Sequence, residues 1–176
     1  MKLGKDFFLR DARQVACELL GKVLCRKQGS KVLRARIVET EAYFDEKDPA
    51  SRACKNGNLK ETMKMEGGTI LTYGVHNNWL INFVTGKEGK AEAVLLRALE
   101  PLNFNGRCNG PGLLTKALSI KKDSHKKDVC DCEKMWVENG MDESFEIVKS
   151  KRIGVAKDLK EPLRFYIKDN QYISRK

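Results

Sequence analysis

The sequence is short of the residues from which metal sites are built. Its 176 residues include only two histidines, His76 and His125, and no two of its six cysteines form a C-x-x-C pair. Zinc sites draw their ligands from such pairs or from histidines a few residues apart, so no zinc is expected and no metal or redox cofactor is implied. Also lacking are an apolar run long enough to cross a bilayer and a basic-then-apolar leader. The expectation is therefore a protein that does not enter membranes and keeps its thiols free in a reducing cytosol. Cys17, Cys25, Cys54, Cys108, Cys130 and Cys132 read as small apolar fillers, although Cys130 and Cys132 flank Asp131, a spacing too tight for an easy disulfide and suggestive of a polar surface. There is no repeat, linker or low-complexity tract, and the length is too small for two ordinary cores. One domain spanning residues 1–176 is expected.

What the chain has in excess is positive charge. Lysine and arginine number 34 against 24 acidic residues, a net charge of +10. Such a balance suits a polyanionic partner, nucleic acid or an anionic membrane surface, although solubility or association with ribosomes would need no less. Residue types must decide between these.

Asp11, with Gln14 three residues on, starts a helix whose apolar stripe of Ala12, Val15, Ala16, Leu19 and Leu20 is ended by Gly21. Lys22 to Lys27 reads as a strand, Gly29-Ser30 as a turn, and the segment from Val32 as a second strand in which Leu33, Ala35 and Ile37 alternate with Arg34 and Arg36. From Asp45 to Gly68 the pattern dissolves into charges and glycines, the mark of a long surface loop. Thr69 to Val75 and Trp79 to Val84 flank His76-Asn77-Asn78, where paired asparagines tolerate the positive φ of a tight hairpin turn. Ala93 to Leu99 is nearly all apolar and so buried on both faces, yet Arg97 sits within it. A buried guanidinium needs a carboxylate or several carbonyls. A short helix opens at Asn109-Gly110-Pro111, and a closing strand runs from Leu163 to Ile167. Many strands, few helices and no βαβ alternation predict an α+β fold: a curved, mainly antiparallel sheet with flanking helices and a protruding β-hairpin.

Chemistry is concentrated at the end of the second strand. Arg36-Ile37-Val38-Glu39-Thr40-Glu41-Ala42-Tyr43 puts two carboxylates and a tyrosine where a strand gives way to a loop, a common place for reacting groups. A glutamate that met the buried Arg97 would be held ionised in a partly dry site, able to take a proton from water.

This segment, with Asp48-Pro49-Ala50-Ser51 after it, resembles the signature of the alkyladenine (3-methyladenine) DNA glycosylase family. The words Leu95-Leu96-Arg97-Ala98-Leu99-Glu100-Pro101, Asn109-Gly110-Pro111-Gly112, Arg152-Ile153-Gly154-Val155 and Pro162-Leu163-Arg164-Phe165-Tyr166 are similar to the family's in the same order. The resemblance implies a monofunctional enzyme of base excision repair that flips a damaged purine out of duplex DNA and hydrolyses its N-glycosidic bond. It implies that Glu41 is the general base, that Arg97 lies beside the attacking water, that Tyr43 stacks on the flipped base, and that Asn82 and Tyr73 line the base pocket. The family fills the hole in the duplex with a side chain on a β-hairpin. Here that wedge is Tyr73 or His76, with the Asn77-Asn78 turn favouring His76. Arg107, Gly110, Gly112 and Lys116 are expected at the DNA backbone, and Lys121, Lys122, Lys126 and Lys127 form a further basic cluster. Trp136 and its apolar neighbours are expected in the core.

The sequence also departs from the family pattern. Arg52 stands where the family carries a pocket histidine, which should disfavour cationic methylpurines and favour a neutral base with acceptors, such as hypoxanthine. Gly57-Asn58-Leu59-Lys60 replaces an arginine-bearing loop, and Leu113 a lysine. No lysine falls in the pocket to form a Schiff base, so no strand cleavage is expected. The competing reading is a non-catalytic module on the same fold that binds damaged DNA or structured RNA. The implied partner is double-stranded DNA carrying a damaged purine, met by a monomer in the cytoplasm at the nucleoid, or in a nucleus.

Overall fold

The longest element grows out of the clearest alternation in the chain. In the computed structural model, which describes residues 1–141 and 143–176, the strands are β1 (Val23–Gln28), β2 (Lys31–Tyr43), β3 (Ile70–Val75), β4 (Asn78–Val84), β5 (Ala93–Pro101), β6 (Met135–Glu138), β7 (Ile147–Ser150) and β8 (Arg164–Ile167). They form one curled sheet in the order β3-β4-β5-β2-β1-β6, every pair antiparallel, with β8 on β2 and β7 on β8. The 13 residues of β2 outrun β1. Its first half pairs with β1, and Glu39 to Glu41 pair with β8, while β5 runs along the other edge. The centre of β2 is thus enclosed on both sides, and its side chains there leave water.

Helix α1 (Lys5–Phe8) and helix α2 (Ala12–Leu19) cover one face. The Asp11 side chain caps α2 at the Arg13 N–H (2.9 Å), and Glu92, far along the chain, takes the Ala12 N–H (3.1 Å). Phe8, Leu19, Ile37, Phe83, Leu96, Leu99 and Phe165 belong to the main core. Thr40, facing α2, donates its hydroxyl to the Ala16 carbonyl at 2.8 Å.

The segment 45–68 is not the open loop that its charges suggested. It contains a 3-10 turn, Arg52–Cys54, and helix α3 (Asn58–Met63), and it buries Asp48, Ser51, Ala53, Thr62 and Met63. Ala53 and Met63 pack on Leu71, Val84 and Ala93 as a second, smaller core beneath Tyr43 and Tyr73. Outside that segment, α1 and the four-residue strands β6 and β7 also had no warning in the sequence. Trp136 lies on β6, half-buried between the buried Met135 and Val137, its indole N–H on Glu138 at 2.8 Å. Cys130 and Cys132 are half-buried against the main core rather than set out on a polar surface. Helix α4 (Pro111–Ala117) lies where Asn109-Gly110-Pro111 predicted it, with proline at its first position.

The β3–β4 hairpin closes through a two-residue turn, Val75 opposite Asn78. Its positive φ values fall on His76 (46°) and Asn77 (62°), one position earlier than the paired asparagines, as a type I′ turn requires. Outside β3 runs the lysine-bearing segment 121–128, tied by Lys126 N–H to the Ile70 carbonyl (2.8 Å) and by the Thr72 N–H to His125 Nδ1 (3.2 Å). Burial and then Lys126 and Lys122 hold His125 below its usual pKa, which preserves that acceptor.

Candidate active site

Around Glu39 the regular pairing of β2 with β5 slips by one residue and recovers at Thr40, leaving Val38 and Arg97 without a backbone partner. Irregularities of this kind re-aim side chains. Arg97 is buried and its Nε lies 3.1 Å from Glu39 Oε1 and 3.4 Å from Glu41 Oε1. The guanidinium that the sequence left in search of a carboxylate therefore has two.

Glu41 has no exposed surface. Its Oε1 accepts the Ile153 N–H at 2.8 Å and its Oε2 the Tyr43 hydroxyl at 2.7 Å. Burial pushes its pKa up. Arg97, the Ile153 N–H and the Tyr43 hydroxyl oppose that push, Glu39 adds to it, and the balance stays above the ordinary carboxylate range. Burial, followed by the Glu41 charge, also raises Tyr43, which keeps its hydroxyl a donor.

Arg97, Tyr43 and Ile153 line a cavity of about 190 Å³, and Glu41 lies directly behind them. That volume is below the roughly 300 Å³ at which drug-sized ligand pockets begin; it suits a single flat ring system. Tyr73, Asn82, Leu71 and Leu80 form another wall, for Leu71 faces Asn82 and Tyr73 faces Leu80 across the hairpin, all on one side of it. Asn82 Nδ2 donates to the Leu71 carbonyl at 3.2 Å, so this residue both ties the hairpin and faces the cavity. Arg52, from the 3-10 turn, lines the cavity with its guanidinium 5.0 Å from the centre of the Tyr73 ring.

Behind the other tyrosine stands a different arginine. Arg152 lies 4.5 Å from the Tyr43 ring centre with a fully buried side chain. It donates to both oxygens of Asp48 (2.6 and 2.7 Å), to Asp158 and to the Ala42 carbonyl. Asp48 also accepts the Phe44 and Ala50 N–H groups. Burial alone would raise Asp48; the Arg152 hydrogen bonds and the two backbone donors outweigh it and hold its carboxyl below the usual range.

With this geometry in view, comparison with known proteins is direct. The sequence model of the family described as methylpurine-DNA glycosylase matches residues 6–171. The chain belongs to the methylpurine-DNA glycosylase family. Relatives named "putative 3-methyladenine DNA glycosylase" match it along its length. One from Aeropyrum pernix is 41% identical over 180 residues, covering 98% of this chain and 93% of the relative. Those from Clostridium beijerinckii and Clostridium tetani are 38% and 37% identical over 203 residues, covering both chains in full. Among the described residues no helix is long and apolar enough to cross a membrane.

In this member of the glycosylase family, six residues singled out in the sequence, Glu41, Arg97, Tyr43, Arg52, Tyr73 and Asn82, converge on the cavity and its floor. His76 does not: it is exposed at the tip of the hairpin. Of the two wedge candidates, Tyr73 is the cavity liner and His76 the projecting one. Helix α4 packs against the hairpin, Thr115 Oγ1 donating to the Trp79 carbonyl at 2.7 Å, and a Cβ on Gly112 would come within 2.8 Å of Asn78. Arg107 and Lys116 are exposed nearby in sequence. The start of α4 has fewer open donors than the sequence suggested, because Pro111 has no N–H and the Leu113 N–H is taken by Gly110. Sequence reasoning offered Glu39 only as one of two carboxylates that could meet Arg97, and assigned no part to Asp48, Arg152, Ile153, Arg164 or Ser174. The first four of these sit inside the quoted family words, a signal that was present but not used; for Ser174 there was none.

Proposed function

We propose that this protein is a monofunctional glycosylase that turns a damaged purine out of duplex DNA into the cavity and hydrolyses its N-glycosidic bond with a water activated by Glu41. The observation that carries this is a fully buried carboxylate, raised above its ordinary pKa and set against Arg97, at the floor of a cavity walled by two tyrosines. A glycosidic bond breaks through an oxocarbenium-like state, so a carboxylate beside the sugar takes the proton of water and offsets the developing positive charge. In this reading the base stacks on Tyr43, whose hydroxyl gives up Glu41 Oε2 as water arrives, and Asn82 and Tyr73 bound its edge and far side. His76 enters the duplex as the wedge. Arg107, Lys116 and the backbone at Gly110 and Gly112 meet phosphates. With no lysine on the cavity wall among the described residues, bond cleavage stops at an abasic site in this reading. The partner is duplex DNA and the working unit a monomer in the cytoplasm.

Arg52 narrows the substrate. Its guanidinium reaches Tyr73 but has no hydrogen bond or carboxylate partner among the described residues. A fixed positive charge on the cavity wall opposes N-methylated purines, which carry a positive charge, and offers donors to the acceptor oxygen of hypoxanthine.

The decisive assay is alkali cleavage of an end-labelled duplex bearing one hypoxanthine, ethenoadenine or methylpurine. Product with the native protein and none with Glu41→Gln is expected. The net charge of +10 and the tyrosine-walled cavity would also suit a non-catalytic binding module. Binding of the lesion duplex without product from the native protein would establish that alternative and end the enzymatic reading.

A further inference from the structure

The floor of the site holds one more carboxylate than water activation needs. Glu39, two residues before Glu41, has no exposed surface and gathers four donors. Arg97 Nε (3.1 Å), Arg164 Nε (2.8 Å) and the Ser174 hydroxyl (2.8 Å) bind Oε1, and the Ser174 N–H binds Oε2 at 2.6 Å. The donors come from β5, from β8 and from the segment after β8. Ser174 Oγ also accepts from Arg97 Nη2 at 3.3 Å. The guanidinium is therefore pinned through two of its nitrogens on the Glu39 side, and its nearest approach to Glu41 is 3.4 Å, from Nε.

We propose that Glu39 and Ser174 are positioning residues that hold Arg97 off-centre, so that Glu41 meets only part of its charge and is left free to take a proton from water. This rests on the reading of Glu41 as the general base. An arginine that grips a carboxylate through two parallel hydrogen bonds makes it a poor base, and the chain shows that geometry elsewhere, between Arg152 and Asp48. At Glu41 the same grip is prevented because Arg97 is already occupied. Removing the Glu39 charge or the Ser174 hydroxyl releases the guanidinium toward Glu41. For Glu39 it also deletes one of the two influences that push Glu41 up, the other being burial. A residue that only stabilised the fold would lower the yield of folded protein, or the rate equally at every pH. A positioning residue changes the pH dependence itself.

The test is the single-turnover rate of base release against pH, on a duplex carrying hypoxanthine or 7-methylguanine, whichever is released faster. It compares native protein with Ser174→Ala, Ser174→Thr, Glu39→Gln and Glu41→Gln. Ser174→Ala is expected to move the acid limb to lower pH and to cut the plateau about tenfold, because a carboxylate more fully neutralised is a weaker base. Ser174→Thr, which keeps the hydroxyl, restores both. Glu39→Gln moves the limb further in the same direction; should it fail to fold beside two arginines, the serine pair carries the test unaided. An acid limb unmoved in Ser174→Ala, with Glu41→Gln inactive, overturns the positioning role and leaves the base assignment standing. Native rate in Glu41→Gln overturns the base assignment, and this inference with it.

Discussion

Two buried carboxylates, each beside an arginine, end up on opposite sides of their ordinary pKa. Asp48 meets Arg152 through both oxygens and takes two backbone N–H groups besides, and its pKa is lowered. Glu41 meets an arginine shared with Glu39, no nearer than 3.4 Å, and its pKa is raised. Burial pushes both up; the number and quality of the partners decide which way the sum falls. The signs have opposite consequences for stability. Asp48, lowered on folding, stabilises the native state above the ordinary aspartate value of about 3.9, and that contribution is lost as pH falls through its folded value. Glu41, raised on folding, costs stability while ionised, and the cost is relieved as pH falls through its folded value. The first is a strut under Tyr43, the second a carboxylate whose charge the fold holds at a cost.

The comparison can be broken most sharply at Glu41. Exchange for glutamine should lower the base-release rate by about a thousandfold, the loss of a general base, while a thermal melt shows a midpoint no lower than native. A clear fall in the midpoint would mean that the ionised carboxylate supports the fold. In the native enzyme the rate should climb with pH through a value above the ordinary glutamate range, since only the deprotonated form accepts a proton; a rate flat from pH 4 upward would contradict this. The next largest effect belongs to the strut. Asp48→Asn leaves Arg152 short of a buried counter-charge and should cost about 3–5 kcal/mol in urea unfolding, with the glycosylase rate of the surviving folded fraction within about tenfold of native.

Smaller effects are expected where partners are fewest. His76→Ala should weaken binding to lesion duplex about tenfold, the contribution of one stacked side chain, with no change in the melt. Arg52→His should shift the ratio of hypoxanthine to 7-methylguanine release several-fold toward the cation. An unchanged ratio would remove Arg52 from the account of substrate choice. These two residues complete the contrast: the floor is fixed by many hydrogen bonds, while the side chains of Arg52 on the wall and His76 at the hairpin tip make none among the described residues.

How much of this could be read from the chain depended on the range of the interaction. The alternation in β2, the apolar run of β5 and the hairpin are local patterns, and they emerged as predicted. Arg97 betrayed itself because a guanidinium in an apolar strand demands a carboxylate. Which carboxylate, and how unequally it would be shared, depended on a slip in register that no local pattern records. Asp48 and Arg152 are 104 positions apart, so the strut joins two segments each of which reads alone as a charged loop. That is why residues 45–68 looked open. The strands β6 and β7 escaped because four residues that mix apolar and charged side chains are too few to show a period.

The hydrogen bonds from Ser174 to Glu39 span 135 positions, and this has a meaning for the protein while it is being made. At ribosomal rates of about 5–20 residues per second, Glu39 is synthesised roughly 7 to 27 seconds before the residue that closes over it. Until then Glu39 lacks the Ser174 donors and, for most of that interval, Arg164 as well, so the floor of the cavity is completed only once the segment after β8 has been made.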